Sequence, residues 1–216
     1  MVQRTLRYIV VDGPIGAGKT TLARRLANTF GSELLLEGAE ENPFLARFYQ
    51  DPRQAALPTQ LFFLFQRARQ LQALRQADMF APVRVADFLM DKDRLFAELT
   101  LDADELKLYE QAYAHLTLEL PAPDLVIYLQ APVDVLMARI ARRGRPEERT
   151  ISPDYLRRVV EAYARFFYHF DKSPLLIVNA AEIDLATNER DYEQLLAQVQ
   201  SIRSGRHFFN PLPIGL

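Results

Sequence analysis

The sequence of 216 residues predicts an α/β fold in which a parallel sheet of five strands is flanked by helices. Two observations support this prediction. Apolar runs alternate with helical patterns along the chain, and a glycine-rich segment joins the first apolar run to the first helical pattern. Parallel strands need long crossover connections, which helices supply. The length suits one domain, which we expect to span residues 1–216.

The elements follow from the local pattern of apolar residues. Five apolar runs have the length and composition of strands, at 6–11, 33–37, 83–87, 124–129 and 174–178. Helical patterns lie between and after them, at 19–30, 57–77, 102–118, 133–142, 153–170 and 188–202. The tail over about 204–216 contains glycine and proline and is expected to be irregular.

Residues 13–20 read Gly-Pro-Ile-Gly-Ala-Gly-Lys-Thr and match the P-loop pattern G-x-x-x-x-G-K-[ST]. The segment lies between a strand pattern and a helical pattern, which is the context that the motif requires. Backbone N–H groups of such a loop bind phosphate oxygens. Lys19 is expected to reach the β- and γ-phosphates, and Thr20 to ligate Mg²⁺. The sequence therefore predicts a P-loop NTPase-type fold that uses ATP and Mg²⁺, with nucleotide-binding residues Gly13, Pro14, Ile15, Gly16, Ala17, Gly18, Lys19, Thr20 and Thr21.

Composition excludes several other classes of protein. The formal net charge of −2 gives no general attraction to nucleic acid or to an anionic membrane. The chain has no cysteine, so disulfides and thiolate chemistry are excluded, and its three histidines are scattered. We find no apolar stretch long enough to span a bilayer, and the N-terminus leads directly into the first strand pattern without room for a signal peptide. We therefore expect a cytoplasmic enzyme with neither a nucleic-acid nor a membrane partner.

The segment over about 139–150 has the composition of an arginine-rich lid. It holds Arg139, Arg142, Arg143 and Arg145, and Gly144 and Pro146 break its helical pattern. Small-molecule kinases close such a lid over the phosphates and so exclude water, whereas GTPases and motor ATPases position water for attack. A solvated basic helix end is the alternative interpretation. Next to a P-loop, the composition favours a kinase lid.

Two carboxylates are candidates for the base that accepts the proton of the substrate. Glu37 ends the second predicted strand and Asp87 ends the third. Open α/β sheets bind ligands at the carboxyl ends of their strands. Either residue alone is equally compatible with a surface or capping role, but together they share the edge that carries the P-loop. Asp87 is also the candidate to join Thr20 as a ligand of Mg²⁺.

These motifs together resemble the deoxynucleoside kinase family, in particular its deoxycytidine, deoxyguanosine and deoxyadenosine kinase branch. The resemblance extends from about residue 6 to about residue 200. Its motifs are Tyr49-Gln-Asp-Pro52 followed by Leu57-Pro-Thr-Gln60, and the lid sequence Arg143-Gly-Arg145-Pro-Glu-Glu148.

The resemblance implies a role for each matching position. Glu37 matches the base that deprotonates the sugar 5′-hydroxyl, and the lid arginines Arg139, Arg143 and Arg145 match those that contact ATP and its phosphates. Tyr49 and Glu148 match the pair that holds the 3′-hydroxyl. The positions that match contacts to the nucleobase are Gln60, Arg67, Asp93 and Phe96. Gln60 and Arg67 are two helical turns apart and so share a face.

The chain departs from the family pattern beside the sugar. The third strand of the family ends in [DE]-R-S, but this chain reads Asp87-Phe88-Leu89 and so lacks the arginine that binds the acceptor oxygen and phosphate. The Glu-Pro of the family reads Glu37-Gly38, and an aromatic position a few residues later is Asn42. Arg84 or a lid arginine is a candidate to supply the missing charge.

Three functions remain open at this point. The resemblance implies a deoxynucleoside kinase that prefers dA, dG or dC over dT. The second is a thymidylate-type nucleoside monophosphate kinase, but it needs an arginine near the third strand, where this chain has Phe88. The third is a non-catalytic nucleotide-binding subunit, but the intact Glu37, Lys19 and lid residues argue against it. Family members are commonly homodimers, and the predicted helices 57–77 and 153–170 are candidates for such an interface.

Overall fold

The computed structural model describes residues 6–75, 83–117, 120–183 and 188–210. Its sheet has six strands in the order β2-β3-β1-β4-β5-β6, and every neighbouring pair is parallel. The predicted fold class is therefore confirmed. The strands are β1 (Tyr8–Asp12), β2 (Glu33–Leu35), β3 (Arg84–Ala86), β4 (Leu125–Gln130), β5 (Leu175–Asn179) and β6 (Arg206–Phe209).

Helices cover both faces of this sheet. They are α1 (Lys19–Phe30), α2 (Leu45–Gln50), α3 (Pro52–Arg75), α4 (Asp93–Thr100), α5 (Ala103–Leu116), α6 (Val133–Arg143), α7 (Pro153–His169) and α8 (Glu189–Ser201). Short 3-10 turns lie at Ala39–Glu41, Met90–Lys92 and Pro146–Glu148. Within the described ranges, no helix combines the length and the apolar character needed to cross a bilayer.

Several predicted element boundaries were wrong. A sixth strand, β6, occupies part of the tail that was expected to be irregular, and residues 211–216 of that tail lie outside the described residues. Helix α3 begins at Pro52 rather than at 57, and it accommodates Pro58 in its second turn. The short helices α2 and α4 were not predicted, because six and eight residues are too few to establish a period. Residues 76, 77 and 118 of the predicted helices lie outside the described residues, and the single domain over 1–216 stays a prediction.

The central position of strand β1 in the sheet explains why its sequence is a continuous apolar run. All five of its residues are buried. Ile9 and Val11 face a core built with α1, α6 and α8, whereas Tyr8 and Val10 face a second core built with α3, α4, α5 and α7. A strand covered on both faces needs apolar side chains at every position. Because β1 is buried, the start of the P-loop, which follows β1 directly, has a fixed position relative to the sheet.

The register of the strands brings the predicted functional residues to one edge. Ala86 of β3 pairs with Val10 of β1 and with Leu35 of β2. The residues that follow these three strands therefore lie next to one another, and they include Glu37, Asp87 and the P-loop. The sheet thus assembles the site at the carboxyl ends of its strands.

Candidate active site

The P-loop requires glycine at two positions where the backbone is close to its neighbours. Gly13 has a φ of 155°, and a Cβ placed there would lie 2.5 Å from the carbonyl oxygen of Leu129. Gly16 has a φ of 84°, and its Cβ would lie 2.9 Å from the carbonyl oxygen of Leu136. Both conformations and both contacts exclude a side chain. The loop is therefore held tightly against β4 and α6.

Lys19 opens α1 and extends back over the loop. Its Nζ donates to the carbonyl oxygens of Gly13, at 2.8 Å, and of Pro14, at 3.3 Å. Burial lowers the pKa of Lys19, and the nearby charge of Lys92 lowers it further. The ammonium group is thus a partly desolvated cation at the loop, where a phosphate oxygen is a strong ligand.

Thr20 and Asp87 form a pair of oxygen ligands beside the loop. Thr20 Oγ1 donates to Asp87 Oδ2 at 2.5 Å, and the backbone N–H of Glu37 donates to Asp87 Oδ1 at 2.7 Å. Burial raises the pKa of Asp87, and the charge of Glu37 adds to the increase. The described residues contain no cluster of three or more potential metal-binding side chains. A hydroxyl and a carboxylate nevertheless fit Mg²⁺, which is commonly held by one or two protein oxygens together with phosphates and water.

Glu37 lies two residues beyond β2, between two cations. Its Oε1 accepts from Arg67 Nη2 and, at 3.2 Å, from Lys92 Nζ. Burial alone would raise the pKa of Glu37, but Lys92, Arg67 and Lys19 together hold it well below its usual range. The Glu37 carboxylate is therefore ionised.

Arg67 connects Glu37 to Asp93 through the wall of the pocket. Its Nη1 donates to Asp93 Oδ1, and both residues of this ion pair are almost fully buried. The guanidinium carbon also lies 4.8 Å from the centre of the Phe63 ring. Among the described residues, neither Arg67 Nε nor Asp93 Oδ2 has a hydrogen-bond partner. Two polar atoms of the pair are thus left for another ligand.

One cavity brings together most of the predicted site residues. It is lined by Ile15, Gly16, Lys19, Thr20, Glu37, Tyr49, Gln60, Arg67, Asp87, Phe96, Arg143, Arg145 and Glu148. Gly13, Pro14, Ala17, Gly18, Thr21, Asp93 and Arg139 are not part of this lining. Burial raises the pKa of the Tyr49 phenol well above its usual value, so the phenol keeps its proton as a donor. Gln60 Nε2 donates to Thr100 Oγ1 at 3.3 Å.

Within the lid segment, helix α6 ends at Arg143, and the residue that caps it, Gly144, adopts a left-handed conformation. Arg143 makes two hydrogen bonds to Glu148, at 3.1 Å from Nε and 2.5 Å from Nη2. Arg145 lies 3.7 Å from Glu40 across the cavity. Arg139 instead donates to the carbonyl oxygen of Ala180, next to β5. Its predicted contact with ATP stays a prediction.

The comparisons with known proteins agree with this geometry. The family model for deoxynucleoside kinases matches residues 9–203. A deoxyguanosine kinase of Bacillus subtilis (strain 168) is 35% identical over 206 residues, which cover 92% of this chain and 98% of the relative. The chain belongs to the deoxynucleoside kinase family. The predicted family and the predicted activity, an ATP-dependent deoxynucleoside kinase, are confirmed.

Further relatives and solved structures extend this result. A deoxyadenosine kinase of Lactobacillus acidophilus is 28% identical over 209 residues, which cover 90% of the kinase described here and 95% of the relative. The structure of deoxyadenosine kinase from M. mycoides with products dCMP and a flexible dCDP has a TM-score of 0.78 and 26% identity, and covers 90% of this chain and 100% of that one. The same enzyme with bound dATP has a TM-score of 0.76 and 26% identity.

Sequence reasoning missed two charged residues of this kinase site. Lys92 is 1% exposed, and its Nζ lies 3.3 Å from Asp12 Oδ1 as well as 3.2 Å from Glu37. Asp12 is fully buried and accepts a hydrogen bond from the hydroxyl of Tyr163 at 3.0 Å. The one signal in the sequence was Asp12 itself, a charged residue that ends the run 8–12 directly before the P-loop.

Proposed function

We propose that this kinase transfers the γ-phosphate of ATP to the 5′-hydroxyl of a deoxynucleoside, with Glu37 as the base. The observation that carries the proposal is the position of the ionised Glu37 carboxylate, held by Arg67 and Lys92 in the cavity that Lys19 also lines. Glu37 accepts the hydroxyl proton as the 5′-oxygen bonds to the γ-phosphorus and the bond from phosphorus to the ADP oxygen breaks. Lys19, Arg143 and Arg145 offset the negative charge on the transferred group.

The nucleotide site and the sugar site of this proposal use different residues of the same cavity. Thr20 and Asp87 are the proposed ligands of Mg²⁺, which when bound neutralises phosphate charge. Tyr49 and Glu148 are the proposed partners of the sugar 3′-hydroxyl, since both line the cavity and the Tyr49 phenol keeps its proton. A phenol donor and a carboxylate acceptor are complementary to one hydroxyl group.

A substrate panel tests the proposed reaction. We expect ADP release with ATP, Mg²⁺ and deoxynucleosides, and we expect nucleoside monophosphates to be poor acceptors because Phe88 stands where an arginine would bind their phosphate. Phosphorylation of the product at the 5′-oxygen is checked by phosphorus NMR. Turnover with monophosphates alone would favour the thymidylate-type reaction, and ADP release that is independent of any acceptor would contradict both.

The base preference is proposed from the Arg67–Asp93 pair. Asp93 Oδ2 is buried and has no partner among the described residues, and its neighbour Arg67 lines the cavity, which supports Asp93 as an acceptor from the exocyclic amine of adenine or cytosine, or from a guanine N–H. Thymine has no exocyclic amine, and a buried polar atom left unpaired penalises the wrong ligand. The similarity to a deoxyguanosine kinase and to a deoxyadenosine kinase supports the same preference.

We therefore expect kcat/KM for dA, dG or dC to exceed that for thymidine by at least about tenfold. Steady-state kinetics with the four deoxynucleosides measures this ratio. Asp93→Ala is expected to reduce the ratio, whereas Asp154→Ala, an exposed substitution at the start of α7, is the control and should not. Thymidine as the best substrate would contradict the assignment, and an unchanged ratio in Asp93→Ala would restrict the ion pair to a structural role.

We further propose a cytoplasmic homodimer. The long helices α3 and α7 each carry an aromatic side chain at the surface, Phe65 with 49% and Tyr168 with 71% of its area exposed. A contiguous exposed apolar patch marks an interaction site, and these two side chains are the candidates to contribute to one. Light scattering during size-exclusion chromatography is expected to give twice the chain mass of 24.8 kDa. A mass that remains at one chain over the whole concentration range would contradict the dimer.

A further inference from the structure

The position that carries an arginine in the family pattern contributes no charge to this site. Phe88 is fully buried, and Leu89 is 1% exposed. Both pack in the core formed by the sheet with α3, α4, α5 and α7. Phe88 carries no charge and cannot replace a cation, and its ring centre lies 5.9 Å from the guanidinium carbon of Arg67. A cation at this end of β3 has to come from another position.

Lys92 reaches the site from the 3-10 turn Met90–Lys92, five residues after Asp87. Its side chain is 2% exposed, and its Nζ lies between Glu37 Oε1 at 3.2 Å and Asp12 Oδ1 at 3.3 Å. Burying an ammonium group costs several kcal/mol unless opposite charges and hydrogen bonds compensate for lost hydration. Two carboxylates supply that compensation here, so the position of the ammonium is tightly defined.

Asp12 anchors Lys92 to three parts of the fold. Asp12 Oδ1 accepts from the backbone N–H of Gly13 at 2.6 Å and from the hydroxyl of Tyr163 at 3.0 Å, and Oδ2 accepts from the backbone N–H of Leu89 at 2.8 Å. These partners belong to the start of the P-loop, to α7 and to the segment after β3. These donors hold Asp12 in place, and Asp12 in turn fixes the ammonium of Lys92 beside Glu37.

Both cations that contact Glu37 bind the same oxygen. Arg67 and Lys92 donate to Oε1, and within the described part of the chain no hydrogen bond is made to Oε2. A carboxylate held at one oxygen by two donors from different elements has a fixed orientation. Its second oxygen is then available for the acceptor hydroxyl. Such orientation of a base contributes to rate because it lowers the entropic cost of reaching the reactive geometry.

We propose that Lys92 is a positioning residue for phosphoryl transfer. Its ammonium, anchored by Asp12, holds Oε1 of Glu37 so that Oε2 faces the acceptor hydroxyl, and it supplies the cation that the family pattern places directly after β3. This inference rests on the proposed role of Glu37 as the base. The competing explanation is that Lys92 only neutralises buried carboxylates and so stabilises the fold.

A double-mutant cycle separates the two explanations. Lys92→Met, Glu37→Gln and the double variant are compared with the wild-type chain for kcat, for both KM values and for the temperature of unfolding. We expect Lys92→Met to lower kcat by about 10²-fold, with the deoxynucleoside KM changed by less than about threefold. Once Glu37 is replaced, the loss of Lys92 should cost no more than about a further threefold. Lys92→Arg, which keeps the charge, is expected to recover part of kcat.

A control substitution and a replacement variant accompany the double-mutant cycle. Lys172→Met removes an exposed lysine that pairs with Asp91, next to Lys92 in the sequence, and should leave kcat unchanged. If Lys92→Met does not fold, Lys92→Gln, which keeps an N–H donor for Asp12, takes its place in the cycle. Multiplicative losses in the double variant, or a near-normal kcat in a folded Lys92→Met protein, would overturn the inference. A near-normal kcat in Glu37→Gln would instead overturn the proposed base.

Discussion

Replacing Lys19 with alanine is expected to abolish phosphoryl transfer while the fold remains intact. The Lys19 ammonium is the cation of the P-loop, and burial leaves it partly desolvated. A desolvated positive charge stabilises a transferring phosphoryl group far more than one in water does. Its two hydrogen bonds go to backbone carbonyls of the loop, so alanine removes no buried ion pair. We expect kcat to fall by about 10³-fold or more.

Coupled measurement of ADP release checks this expectation, and circular dichroism with thermal unfolding checks the fold. Lys107→Ala is the matched control, because Lys107 is 75% exposed on α5 and pairs with the exposed Asp104. It should retain wild-type kinetics. Near-normal turnover in a folded Lys19→Ala protein would remove the P-loop from the mechanism, and with it the assignment of the nucleotide site.

The fold was predictable from sequence where the signal is local. Strands β1, β3, β4 and β5 contain buried residues, and Leu34 and Leu35 of β2 are half-buried, so each of these strands has an apolar run in its sequence. Strand β6 has no such signal, because Phe208 is 72% exposed and the strand forms the edge of the sheet. The strand is held by tertiary contacts, among them hydrogen bonds from Arg206 Nη2 to backbone carbonyls at the end of α7. The pattern of residues in one segment gives no information about contacts with distant parts of the chain.

The same distinction explains the site. The P-loop and the carboxylates that follow β2 and β3 are recognisable because the chemistry and the position lie within a few residues. Lys92 was not recognisable, because its partners Asp12 and Glu37 are 80 and 55 residues away in sequence. A lysine in a charged segment usually indicates a solvated surface, and the burial of Lys92 depends on contacts with residues distant in sequence, among them Asp12 and Glu37. Comparison of short motifs therefore could not identify Lys92 as part of the site.

Replacing Glu37 with glutamine is expected to lower kcat by roughly 10²–10⁴-fold, the usual contribution of a positioned base. Glutamine keeps the size of the side chain and one acceptor oxygen for Arg67 or Lys92, but it cannot take the proton of the 5′-hydroxyl. Binding of the deoxynucleoside should change much less, because the proposed sugar and base contacts belong to Tyr49, Gln60 and other residues. Single-turnover rates measure the chemical step separately from product release, and titration calorimetry measures binding.

Glu33→Gln is the control for this substitution. Glu33 lies at the opposite end of β2, is 53% exposed and pairs with Arg84, so its loss should affect neither the chemical step nor binding.

Asp87 is the competing base, since it lies beside Glu37 and accepts a hydrogen bond from the Glu37 backbone. If Glu37→Gln retained more than about a tenth of the single-turnover rate, the proton would have to go elsewhere, and Asp87→Asn would become the variant that identifies the base. A loss confined to KM would mean that Glu37 binds the substrate without taking its proton.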